Sequence, residues 1–195
     1  EKFAADYSQW DTMALAVTNN DPASIADEFA YSFDGYRLAS LVITNDQQDI
    51  VYVQTDSGTA ISTQDIRPTT SFSRSDSSGV VEFKAIGAYP VVQIVRQPIY
   101  FENDLNTAVG TLSVAIVWDE QVLDTLGGLV QANATLARVE REKNALGRVL
   151  SNTLTYDFAS PAVSHILQLD YIDHSVDVIW NSLLITQLFV LFSGV

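Results

Sequence analysis

Apolar residues at Phe3, Trp10, Met13, Ala14 and Val17 recur at spacings of three and four, which predicts a helix from Phe3 to about Val17. Asn19-Asn20-Asp21-Pro22 then stops it and starts another. Asp21 suits an N-cap and Pro22 the first helical position, so a second helix is expected, with Ile25 and Phe29 inward and an end near Phe33. Asp34-Gly35 signals a turn.

The pattern changes to strands after that turn. Leu38 to Thr44 is a β-branched run, Asn45-Asp46-Gln47-Gln48 a turn, and Asp49 to Gln54 the returning strand of a hairpin. Thr55 to Ser78 is rich in Ser, Thr and Asp, with Ile61, Ile66 and Phe72 as its apolar exceptions, and is expected to be a long surface loop holding one short element. Strands follow over Val80–Ile86 and Tyr89–Phe101. After a turn at Glu102–Asn106, Ala108–Trp118 alternates poorly and suits a buried central strand. Two helices followed by about five antiparallel strands predict an α+β fold with helices on one side of the sheet.

Asp119 opens a stretch in which Val122, Leu126, Leu129, Leu136, Val139, Leu146 and Leu150 keep helical spacing, predicting a long helix. Gly127-Gly128 interrupts it, as a kink or a true break, at about 1 kcal/mol per Gly relative to Ala. Ser160-Pro161-Ala162-Val163, Asp173 and Ser175–Ile179 echo Asp21–Ser24, Asp34 and Leu38–Ile43. Two readings stand for this echo: a second copy of the same module, or chance recurrence. Val178 to Val195 carries no charge and is long enough for the start of a membrane helix, but Asn181, Ser182, Thr186 and Gln187 dilute it and favour two buried strands.

Composition narrows the function classes. The 195 residues are 47% apolar, which supports a packed core, and carry a formal charge of −14. That charge repels phosphate backbones and excludes nucleic acid as a partner, while favouring cationic ligands or basic partners at the surface. With no cysteine, disulfide scaffolds and thiol chemistry are excluded. The chain opens on Glu1, Lys2 and Phe3 without a signal peptide and stops inside an apolar run, as a segment cut from a longer chain would.

Nucleophile elbows, phosphate loops and dinucleotide turns are not found, so no catalytic residue and no cofactor is expected. Asp170, Asp173 and His174, with His165 nearby, would share one face if their segment were helical, which leaves a metal-dependent hydrolase as the remotest alternative. A polar helix end leading into a strand explains them as well. Tyr36, Arg96, Tyr100 and Trp118 form the better constellation: aromatic rings and one arginine suit a pocket for a small anionic or amino ligand. Edge packing, with a cross-strand partner for Arg96, is the structural alternative.

Thr12–Pro22 (TMALAVTNNDP) and Phe33–Ile43 (FDGYRLASLVI) resemble the LapD/MoxY N-terminal sensor family, with one residue fewer between Asp34 and Gly35. The resemblance covers at most residues 6–130. It implies a PAS-like, Cache-like antiparallel sheet flanked by N-terminal helices and a long C-terminal helix. It further implies a non-enzymatic, extracytoplasmic sensor on the periplasmic side of a bacterial inner membrane. The parent would be a dimeric signalling protein that is a cyclic di-GMP cyclase, phosphodiesterase or receptor, or a histidine kinase. Its partners would be a small molecule or a periplasmic binding protein, with the membrane reached through flanking segments. Asn133–Arg148 is too charged to span a membrane, so residues 1–130 are expected to form the sensor and 131–195 a helical stalk or a second, related module. A secreted structural or interaction domain is the alternative in a different class.

Overall fold

The computed structural model describes Ala4 and residues 10–29, 32–68, 79–104, 106–138, 153–158, 163 and 165–171. Helix α1 (Asp11–Thr18) turns Met13, Ala14, Ala16 and Val17 inward. Trp10 stands just before it in an extended conformation, so it is exposed rather than on the buried face. Asn20 takes a left-handed φ of 53°, and its N–H donates to the Val17 carbonyl, which closes the helix. Asp21 then caps α2 (Pro22–Phe29) as expected: its Oδ1 accepts from the Ala23 and Ser24 amides, each at 3.2 Å. Ile25 and Phe29 are buried, and a separate short helix, α3 (Ser32–Gly35), follows.

Five strands form one sheet: β1 (Ser40–Asn45), β2 (Ile50–Thr55), β3 (Val80–Ile86), β4 (Tyr89–Ile99) and β5 (Gly110–Val117), in the order β2-β1-β5-β4-β3. The expected antiparallel sheet of an α+β fold is present, and β5 is its central strand. The β1–β2 turn is held by Asn45, whose Oδ1 accepts from the amides of Gln47 and Asp49 at 3.0 and 2.8 Å. Within the expected long loop lies one short helix, α4 (Thr63–Ile66), opened by a reciprocal Ser62–Asp65 capping box.

The chain divides into two compact units, Glu1–Glu82 with Gln93–Ile116, and Phe83–Val92 with Val117–Val195. In the first, one core joins Met13, Val17, Ile25 and Phe29 to Leu41, Ile43, Val95, Ile99, Leu112 and Val114. Phe29 stacks on Tyr52 with ring centroids 6.3 Å apart, which helps seat α2. Gly110 lies opposite Asn45. A Cβ there would come within 2.3 Å of the Thr44 carbonyl oxygen and 2.8 Å of Val17 Cγ1, so only glycine permits that approach.

The second unit corrects the expected long helix. Helix α5 (Glu120–Val130) starts as anticipated, with Asp119 Oδ1 accepting from the Val122 amide at 2.9 Å. It ends at Gln131, whose φ of 54° and ψ of 43° are left-handed, and β6 (Ala132–Arg138) begins at once. With β7 (Thr153–Asp157) and β8 (His165–Tyr171), β6 makes a three-stranded antiparallel sheet in the order β6-β8-β7. Gly127-Gly128 breaks nothing. A Cβ on Gly127 would meet the Ala132 carbonyl oxygen at 2.5 Å, so this glycine lets the helix and the strand leaving it come close. Leu123, Val130, Trp118, Phe158, Leu167 and Leu169 fill the core. The remainder of the expected helix over 139–150, the module echo at 160–162 and 173–179, and the apolar run 178–195 lie outside the described residues.

Candidate ligand-binding site

Strand alternation gives the first unit's sheet residues two distinct faces. Leu41, Ile43, Leu112, Val114, Val95 and Ile99 belong to the core formed with α1 and α2. Their neighbours in sequence, Ser40, Val42, Thr44, Thr111, Ser113 and Arg96, therefore point the other way. The register agrees, pairing Val42 with Ser113 and Thr44 with Thr111. This second face is also closed to solvent: Ser40, Val42, Thr44, Ser113 and Ile94 are completely buried. Its cover is the segment after β2, where α4 packs on β1 and Ile61 and Ile66 are buried apart from the helix-side core. Arg67 fastens that cover by donating from Nη2 to the Gln48 carbonyl oxygen in the β1–β2 turn.

Hydroxyls on this face divide into two kinds. Ser40 Oγ and Thr55 Oγ1 satisfy one another at 3.1 Å. Thr44 Oγ1 and Ser113 Oγ are buried without a hydrogen-bond partner among the described residues, as is Thr59 Oγ1 in the covering segment. A buried polar group left unpaired costs about 1–3 kcal/mol, so two on one face call for an explanation. Thr44 and Ser113 sit diagonally across the β1–β5 pair, about 7 Å apart at that kind of position.

Arg96 completes the picture from β4, the strand next to β5. Its Nη1 donates to Glu82 Oε2 at 2.7 Å, and the arginine side chain is only 14% exposed against 42% for the glutamate. The cross-strand acid partner foreseen for Arg96 is thus real, but it engages one edge of the guanidinium only. Arg96 Nε is buried and has no partner among the described residues. Three adjacent strands, spaced about 5 Å apart, therefore present two hydroxyls and one N–H donor to a single buried face.

The other expected site residues lie elsewhere. Tyr36 sits in the turn after α3 and is 53% exposed. Tyr100 is buried just beyond the end of β4. Trp118 belongs to the second unit, where its ring meets Phe83 and Phe158 edge-on at 5.9 and 5.1 Å. His165 and Asp170 are on a strand rather than a helix, and Gln168 Nε2 donates to both Asp170 carboxylate oxygens at 3.1 and 2.9 Å. Asp173 and His174 are outside the described residues. No group of three or more His, Asp or Glu placed to hold a metal occurs among the described residues.

The described residues thus form an α+β domain with a closed, under-satisfied polar face. The chain matches the CHASE4 domain family over residues 1–137 and belongs to it. CHASE4 domains are extracytoplasmic sensor domains. The expected sensor class is met at that level, and the LapD/MoxY likeness remains a resemblance. No curated protein matches the chain. Among solved structures, it is similar to the ligand-binding domain of the Pseudomonas aeruginosa PAO1 amino acid chemoreceptor PctC in complex with GABA. The TM-score is 0.47 at 12% identity, with 86% of this chain and 88% of that chain covered. It is also similar to the ligand-binding domain of the Pseudomonas fluorescens chemoreceptor CtaA in complex with L-isoleucine. There the TM-score is 0.47 at 11% identity, covering 87% and 82% of the two chains. No helix among the described residues is long and apolar enough to cross a membrane.

Proposed function

We propose that this domain senses a small ligand at the buried polar face of its five-stranded sheet and has no chemistry of its own. The observation that carries the reading is the pair of fully buried, unpartnered hydroxyls, Thr44 and Ser113, beside the unpartnered Nε of Arg96. A folded domain keeps such groups at a cost to its stability, and a ligand that satisfies them recovers that cost on binding. Arg96 is the ligand contact this reading retains. Of the four residues expected from the sequence, it is the one that lies on this face; Tyr36, Tyr100 and Trp118 lie away from it. Occupancy is relayed through the flanking helices to a membrane-bound, dimeric signalling protein of the cyclic di-GMP or histidine kinase type. The signal exists only if the ligand binds two states of the domain unequally.

Thermal unfolding of the whole chain against a library of amino acids, polyamines and carboxylates tests the reading. A ligand at about 100 times its Kd adds about 2.7 kcal/mol, or roughly 5–10 °C in unfolding temperature for a chain of this size. Stabilisation by no member of the library would sink the proposal. The output is tested separately, by finding whether the parent chain continues into a cyclase, phosphodiesterase or kinase region.

A further inference from the structure

We infer that the group recognised on the buried face is a carboxylate, supplied by a small organic acid or by the acid end of an amino acid. The inference rests on the ligand-sensing reading above and deepens it. Arg96 has already given Nη1 to Glu82, so the open part of its guanidinium is the edge that carries Nε. An N–H of that kind donates and never accepts, and its charge favours an anionic oxygen. Thr44 and Ser113 present hydroxyls, which turn to donate wherever an acceptor is offered. Three donors from three adjacent strands suit a compact acceptor with two oxygens.

An ammonium group finds the opposite conditions. The strand residues named on this face bring Ser, Thr, Val, Ile, Ala and Arg side chains; Glu82 at its edge is half-exposed and held by Arg96, and Asp65 of the covering helix accepts from Ser62. Burying an ammonium without an acid partner is among the costliest desolvations a protein makes. Polarity points the same way. Val42, Ile94 and Ala115 are completely buried on the same face, so the carbon part of a ligand there would meet apolar side chains.

The formal charge of −14 does not reverse this. Exposed charges are screened over about 8 Å at physiological ionic strength, so they govern the rate of encounter more than the equilibrium at a closed site. The surface and the site therefore favour ligands of opposite sign, and the site decides what is held.

The test uses titration calorimetry and thermal unfolding of the whole chain with propionate, L-lactate, pyruvate, succinate and L-alanine. Propionamide and propylamine, which keep the shape without the carboxylate, are the matched controls. At least one carboxylate is expected to bind and raise the unfolding temperature, while neither control does. Propionate against L-alanine separates a simple acid from an amino acid. Arg96→Lys keeps the charge but loses the Nε edge, and should weaken binding about tenfold or more. Thr44→Val and Ser113→Ala remove an unpaired buried hydroxyl, so each should leave the ligand-free domain as stable or more stable while weakening the carboxylate about fivefold. A purely structural role for those hydroxyls would instead lower the ligand-free stability. Binding of propylamine or polyamines with none of the carboxylates would overturn the carboxylate assignment and leave the sensor standing. So would carboxylate binding that is indifferent to all three substitutions. Silence across the full library would remove both.

Discussion

Asp21 commits both carboxylate oxygens to the first turn of α2, taking the Ala23 and Ser24 amides on Oδ1 and the Ser24 hydroxyl on Oδ2 at 2.6 Å. The Ser24 side-chain bond first, then the Ser24 amide, hold its carboxyl below the ordinary aspartate range. Its folded-state value is therefore lower than its unfolded one. The stabilisation it gives is present above the unfolded value of about 4 and is lost as pH falls through the folded value. Amide exchange at Ala23 and Ser24 should quicken, relative to the strands, as pH drops below about 4. In Asp21→Ala that extra acid sensitivity should be gone. If wild type and variant show the same acid profile, the cap is not what holds α2. This residue was legible in the sequence, because Asp followed by Pro has one favourable use at a helix start. Thr44 and Ser113 were not. A hydroxyl within a β-branched run betrays its lack of a partner only when strand register fixes what stands opposite, and register is a property of two segments.

At the scale of elements, α5 shows where periodicity misleads. Leu126, Leu129 and Leu136 keep helical spacing, yet Ala132, Ala134 and Leu136 also alternate, and the second pattern won. Every residue of β6 is paired with β8, from Ala132 with Tyr171 to Arg138 with His165. Those cross-strand partners outweigh the intrinsic helix preference of a segment with three alanines. Residues 165–169 carried the same hint, with Leu167 and Leu169 alternating inward, but a few residues of alternation are weak beside two acids and a histidine. The two glycines of α5 supply a prediction of opposite signs. Gly128 has nothing within 4 Å of an added Cβ, so Gly128→Ala should stabilise by about 0.5–1 kcal/mol. Gly127→Ala should cost about 1–3 kcal/mol, because the strand backbone must move away. Denaturant midpoints of the two variants decide it, and equal shifts would show that the close approach does not matter.

For the whole molecule, the α+β class and the five-stranded sheet were readable because each hairpin announces itself locally, in a turn and two apolar runs. The second unit was hidden because β6 also reads as helix and its partner β8 lies beyond β7, so no local hairpin announces it. The family match ends at residue 137, inside β6, whose strand partner starts only at His165. A fragment stopped at residue 137 loses β7, β8, Phe158, Leu167 and Leu169. It should therefore expose Trp118 and leave β6 as an open edge. The emission contributed by Trp118, taken as the difference from Trp118→Phe in each form, should shift to the red, and solubility should fall relative to the full chain. A fragment with unchanged emission would show that the core around Trp118 forms without those strands.

The order β6-β8-β7 has a consequence for the chain as it is made. Its middle strand is the last of the three to be synthesised. Until His165–Tyr171 emerges, β6 and β7 have no hydrogen-bonding partner between them, however long they wait. The five strands that end at Val117 find all their strand partners among residues already made. At about 5–20 residues per second, that leaves an interval of several seconds in which the five-stranded sheet can pair before the three-stranded one can begin.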